Sequence, residues 1–82
     1  MNANPDHPQT GPDVAIVIDN NTYSTHRGNR TVTELKTLGN VPAAYELEQI
    51  VDGQLIPLAD DGHVVLKGDE RFVGHPRAGA SS

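Results

Sequence analysis

Thr31 is followed three positions later by Glu34, and Gly39, Asn40 and Pro42 close the same stretch. A Thr with a Glu at that spacing is a capping box, in which each side chain satisfies the other residue's free backbone N–H. Gly-Asn ahead of Pro ends a helix in the left-handed region. Between the two signals Val32, Leu35 and Leu38 recur at i, i+3 and i+6, one narrow apolar stripe. A helix confined to about two turns is not stable alone in water. It needs a sheet to lie on, and the rest of the chain must supply one.

Residues 14–19 (VAIVID) are β-branched and apolar at nearly every position, the composition of a strand covered on both faces. Asn20 and Asn21 tolerate positive φ, and residues 22–26 (TYSTH) resume strand composition, which predicts a hairpin. Residues 26–30 (HRGNR) read as a turn into the helix. In residues 45–51 (YELEQIV) Tyr45 and Leu47 share one face and Glu46 and Glu48 the other, with a change of phase at Ile50 and Val51 that predicts a bulge or strand end. Asp52-Gly53 is a two-residue turn, and residues 54–59 (QLIPLA) follow as its second arm. Pro57 has no N–H to give a neighbour, so this arm belongs at a sheet edge. Asp60-Asp61-Gly62 turns again, and Val64 to Leu66 read as a short interior strand whose natural neighbour is the first strand. After the turn at Gly68-Asp69-Glu70, Phe72 and Val73 pin the chain back onto the body.

Strands around one helix predict an α+β fold, and the simplest such architecture is a β-grasp roll, with one helix on a four- to five-stranded mixed sheet. The expected division is a disordered N-terminal tail over residues 1–13, the domain over 14–76 and a flexible C-terminal tail over 77–82.

Six Lys and Arg against eleven Asp and Glu leave the 82 residues with a formal charge of -5, which repels nucleic acid and anionic membranes rather than steering them in. There is no Cys, so no disulfide, thiol nucleophile or Cys-based zinc site is available. The longest apolar run, residues 14–18, is far short of a membrane span, and no signal peptide is visible; a cytoplasmic location is expected.

His7, His26, His63 and His75 share no metal-ligand spacing, so no metal site is expected. The acidic pairs Asp60-Asp61 and Asp69-Glu70 flank Gly at turns, and turn chemistry accounts for them. Ser24 lies in a strand without a nucleophile elbow, and Ser81 and Ser82 lie in the tail. An enzyme is not expected. What remains is surface and tail. Arg77, Ala78 and Gly79 form a slender segment that can thread a narrow channel, and Gly79 has no Cβ to hinder attack at its carbonyl. Because residues 80–82 follow, use of Gly79 requires a processing cut, or else conjugation runs through Ser82.

The fragments IVIDNNTYS, TVTELKTLGNVPAAYELEQI, LADDGHVVL and ERFVGHP together resemble the bacterial multiubiquitin-domain family of ubiquitin-like proteins. The resemblance implies a β-grasp protein modifier whose partners are a ThiF-like activating enzyme, a ubiquitin-conjugating-like enzyme, a processing or deconjugating peptidase and a target protein, in operons serving antiviral defence. It implies no bound cofactor, since ATP is used by the activating enzyme. It also puts the reactive carboxyl at Gly79, although Ala78-Gly79 stands where such modifiers usually finish on Gly-Gly. By position Ile50, with Val64 or Leu66, is similar to ubiquitin's apolar docking patch. A non-covalent β-grasp adaptor is the alternative, and a sulfur carrier is a third reading. Lys36 and Lys67 are the internal lysines, a small choice for chain building.

Overall fold

A computed structural model describes residues 13–77. The expected tail over residues 1–12 and the tail positions Ala78 and Gly79 lie outside the described residues. The elements in chain order are β1 (Asp13–Ile18), β2 (Asn21–His26), β3 (Gly28–Thr31), α1 (Val32–Leu38), β4 (Glu46–Val51), β5 (Gln54–Pro57), β6 (His63–Leu66) and β7 (Arg71–His75). Five strands form a mixed sheet in the order β2-β1-β7-β4-β5, and β3 and β6 form a separate two-stranded sheet. The fold is therefore α+β, with one helix and a five-stranded mixed sheet among the described residues.

Local signals held where they were strongest. Thr31 Oγ1 accepts from the Glu34 N–H at 3.0 Å and Glu34 Oε1 accepts from the Thr31 N–H at 2.8 Å, so the capping box is complete. These bonds, led by the Thr31 backbone N–H, hold the Glu34 carboxyl below its ordinary range. Asp52 (φ 52°) and Gly53 (φ 79°) make the tight turn between β4 and β5, and β5 with Pro57 is an edge strand. The β1–β2 turn sits one residue earlier than expected: Asp19 and Asn20 carry the positive φ values, 52° and 69°, and Asn21 already pairs with Ile18. The helix stop likewise uses Asn40 (φ 57°) as its left-handed residue, while Gly39 (φ -90°) serves space instead. A Cβ on Gly39 would lie 2.6 Å from Ile18 Cγ2.

Three expectations are corrected by pairing across the fold. Residues 28–31 are a strand, β3, rather than a turn, because β6 supplies antiparallel partners from Gly28↔Leu66 to Thr31↔His63. Strand preference depends more on such neighbours than on the residues themselves. Consequently β6 does not neighbour β1. That place is taken by β7, which runs parallel to β1 with Val17↔Arg71 and Ile18↔Phe72 in register. Finally, Asp13 is not tail but the first residue of β1, opposite His26.

Side chains alternate across each strand, and the inner face of the main sheet meets the helix in one core. Ile16, Ile18, Leu47 and Phe72 pack with Val32 and Leu35 of α1, with Val41, and with Leu66 of β6. Burying each of the larger side chains contributes about 1.5–3 kcal/mol. Gly74 continues the Phe72 face, where Val41 Cγ1 occupies the space of a side chain: a Cβ there would meet it at 2.7 Å. No helix of the described residues is long and apolar enough to cross a membrane.

Candidate functional site

The end of β7 is where the expected tail begins, and two ionic clusters flank it in sequence and space. The first is built on Lys36. This residue lies on the helix one position past Leu35 and is only 5% exposed. Burying an ammonium is costly unless its donors are met. Its three N–H groups are all used: Nζ donates to Ala43 O at 3.0 Å, Tyr45 O at 2.6 Å and Asp60 Oδ1 at 3.1 Å. Arg77 joins the same carboxylate, donating from Nη2 to Oδ1 and Oδ2 of Asp60, each at 2.6 Å, and from Nε to Ala44 O at 3.1 Å. The Lys36 ammonium, and after it the Arg77 guanidinium, hold the Asp60 carboxyl below its ordinary range. Arg77, expected at the start of a loose tail, is thus tied to the body.

The second cluster lies on the outer face of the main sheet. Glu46 and Glu48 are two positions apart on β4, and antiparallel pairing sets His75 opposite Glu46 and Val73 opposite Glu48. On its other side Glu48 faces Pro57 of the edge strand. Walled by these neighbours, Glu48 is 8% exposed. Its Oε1 lies 2.9 Å from His75 Nε2, and the carboxylate against the ring, followed by the Pro76 carbonyl, raises the His75 pKa above its ordinary value. The distance alone describes an ion pair, but the direction does not complete a hydrogen bond, for the buried Oε1 accepts none.

The docking residues expected from sequence separate. Ile50 is half-buried on the outer face, paired with Leu55 on one side and Arg71 on the other. Leu55 is exposed, so this part of the sheet offers apolar surface. Val64 and Leu66 belong to the second sheet. Leu66 is fully buried and Val64 packs half-buried on the same core, so Leu66 cannot dock a partner; a short strand that must close the core has no face to spare. The exposed apolar residue of β6 is Val65. An open groove of about 360 Å³ runs between the helix and Thr25, lined also by Arg30, Leu35 and Leu38. Glu34 on its rim is committed to the helix cap.

Of the residues singled out from sequence, Arg77 lies in the first cluster and Ile50 on the outer face beside the second, whereas the joining of Lys36 to Asp60 and of Glu46, Glu48 and His75 was not foreseen. For Lys36 a signal existed: Val32, Leu35, Lys36 and Gly39 form the i, i+3, i+4, i+7 face that meets the core. In comparisons with known proteins, no family model, no curated protein and no solved structure matched this chain.

Proposed function

We propose that this chain is a β-grasp, ubiquitin-like protein modifier acting in the cytoplasm, not an enzyme. In this reading a peptidase exposes Gly79, a ThiF-like enzyme adenylates its carboxylate with ATP, and the acyl group passes through a cysteine thioester, on that enzyme or a conjugating one, to a nucleophile on a target protein. A role in antiviral defence follows from the family resemblance. The observation that carries the proposal is the place of β7. It is a central strand, parallel to β1 and antiparallel to β4, so the chain leaves the body from the middle of the sheet beside the Asp60 clamp on Arg77. A mechanically rooted exit suits a segment that must be handed to another protein's pocket. The helix packed across one face of a five-stranded mixed sheet agrees with the same fold.

The lysines sharpen the reading. Lys36 commits all three donors within the fold, whereas Lys67 is exposed, so any self-linked chain built on an internal lysine runs through Lys67. Incubation with its activating and conjugating enzymes and ATP, followed by mass spectrometry, tests the proposal. The expected product is an amide adduct at Gly79. The absence of any adduct through a tail residue rejects it.

Ile50 and exposed Leu55 on the outer face favour a second reading, a non-covalent adaptor. Deleting residues 78–82 separates the two: an adaptor keeps partner affinity and activity, and a modifier loses function.

A further inference from the structure

Glu46, Glu48 and His75 are brought together by strand pairing alone, and conjugation makes no use of them. One ligand atom from each lies within 4.8 Å of the others. Two features of the group suit it to hold a metal ion in place of a ring proton. Glu48 is 8% exposed, yet its buried Oε1 accepts no hydrogen bond. A carboxylate oxygen withdrawn from water without a donor is costly, and native structures leave few such atoms. The second feature is the orientation of the ring. His75 Nδ1 lies 3.1 Å from the Pro76 carbonyl, which can only accept, so Nδ1 carries the proton. In the neutral ring Nε2 then turns a lone pair toward Glu48 Oε1, 2.9 Å away. Two lone pairs at that distance repel unless a proton on the ring or a metal ion serves both. An imidazole that gives its far N–H to a backbone carbonyl and offers its other nitrogen beside carboxylates is the arrangement found around metal-bound histidine.

We propose that Glu46, Glu48 and His75 bind one Zn²⁺ ion, His75 through Nε2 and each glutamate through a carboxylate oxygen, with water as the fourth ligand. One imidazole with two carboxylates suits zinc, which takes four nitrogen or oxygen ligands at about 2.0–2.2 Å. Calcium wants six to eight oxygens, and magnesium binds through carboxylates and retained waters. The ion ties β4 to β7 just ahead of Arg77, on the face that also presents Ile50. Zinc binding does not depend on conjugation and can be tested apart from it.

The full chain, stripped with EDTA, is titrated with zinc chloride at about pH 8, where the imidazole is free to bind, and followed by calorimetry and ¹H–¹⁵N NMR. The expected result is one equivalent bound at micromolar affinity or tighter, with the earliest shifts at residues 46–48 and 73–76. His75→Gln and Glu48→Gln each weaken binding by about tenfold or more. His26→Gln, which alters another histidine–carboxylate pair, with Asp13, leaves affinity within about threefold. Millimolar or weaker binding, shifts centred elsewhere, or a folded His75→Gln variant with wild-type affinity overturns the proposal. Should Glu48→Gln fail to fold, His75→Gln and the wild-type spectra decide.

Discussion

Asp60 and Glu48 each meet nitrogen groups from other elements, yet their surroundings run in opposite directions. The Asp60 side chain is 59% exposed and receives donors at both oxygens, while that of Glu48 is 11% exposed and has an oxygen without a hydrogen bond. Around Asp60 the bonds are saturated: every N–H of the Lys36 ammonium has an acceptor. Around Glu48 they are open. The difference teaches that burial alone does not distinguish a fastener from a receptor. What distinguishes them is whether each polar atom already has its partner, since a satisfied buried group holds the fold and an unsatisfied one invites a ligand.

The sharpest way to break this comparison is Lys36→Met. Apolar volume is kept but the Ala43 and Tyr45 carbonyls lose their donor, and we expect a loss of about 2–4 kcal/mol in urea unfolding. A loss below about 1 kcal/mol would show that the saturated cluster is not a fastener. Acid comes next. Because the folded-state pKa of Asp60 lies below the ordinary 3.8, its contribution is complete above that value and disappears as pH falls from there through the lowered folded-state value. Urea midpoints between pH 5 and 2 should therefore fall more steeply for the wild type than for Asp60→Asn; parallel curves would remove the cluster's electrostatic role. A smaller effect is expected at the open cluster. In EDTA, Glu48→Gln keeps the shape of a side chain whose oxygen makes no hydrogen bond, so stability should change by less than about 1 kcal/mol in either direction. A loss as large as that of Lys36→Met would make Glu48 a fastener too. The smallest effect belongs to Arg77→Ala. Thermal stability should stay within error, because Lys36 still holds Asp60, but NMR relaxation should report faster motion at residues 76 and 77. Unchanged relaxation would mean that the guanidinium does not secure the chain there.

These two clusters also show what a sequence can and cannot disclose. Signals carried by neighbouring residues were legible: the Thr31–Glu34 cap, the Asp52-Gly53 turn and the edge position of Pro57 each follow from local stereochemistry. Phe72 was legible as an anchor because it is the chain's only Phe. Pairing between distant segments was not. Gly28 to Thr31 contain no strand signal, and only β6 makes them a strand. The carboxylates beside His75 are not legible from its own segment, since Glu46 and Glu48 come from β4, with β5 and β6 between the two strands in the chain. The burial of Lys36 was not legible because the stripe through Val32, Leu35 and Leu38 points toward Leu38, which is half-buried, whereas the face that meets the core turns toward Lys36 and Gly39.

The parallel seam between β1 and β7 has a consequence for how the protein comes into being. The earliest and latest of the described strands must meet before the sheet is continuous, and until then β1–β2 and β4–β5 are two unjoined hairpins. During synthesis, body formation must wait for Arg71 to His75 to clear the ribosome. A chain that stops short of Arg71 lacks the strand that joins the two hairpins and so cannot complete the sheet.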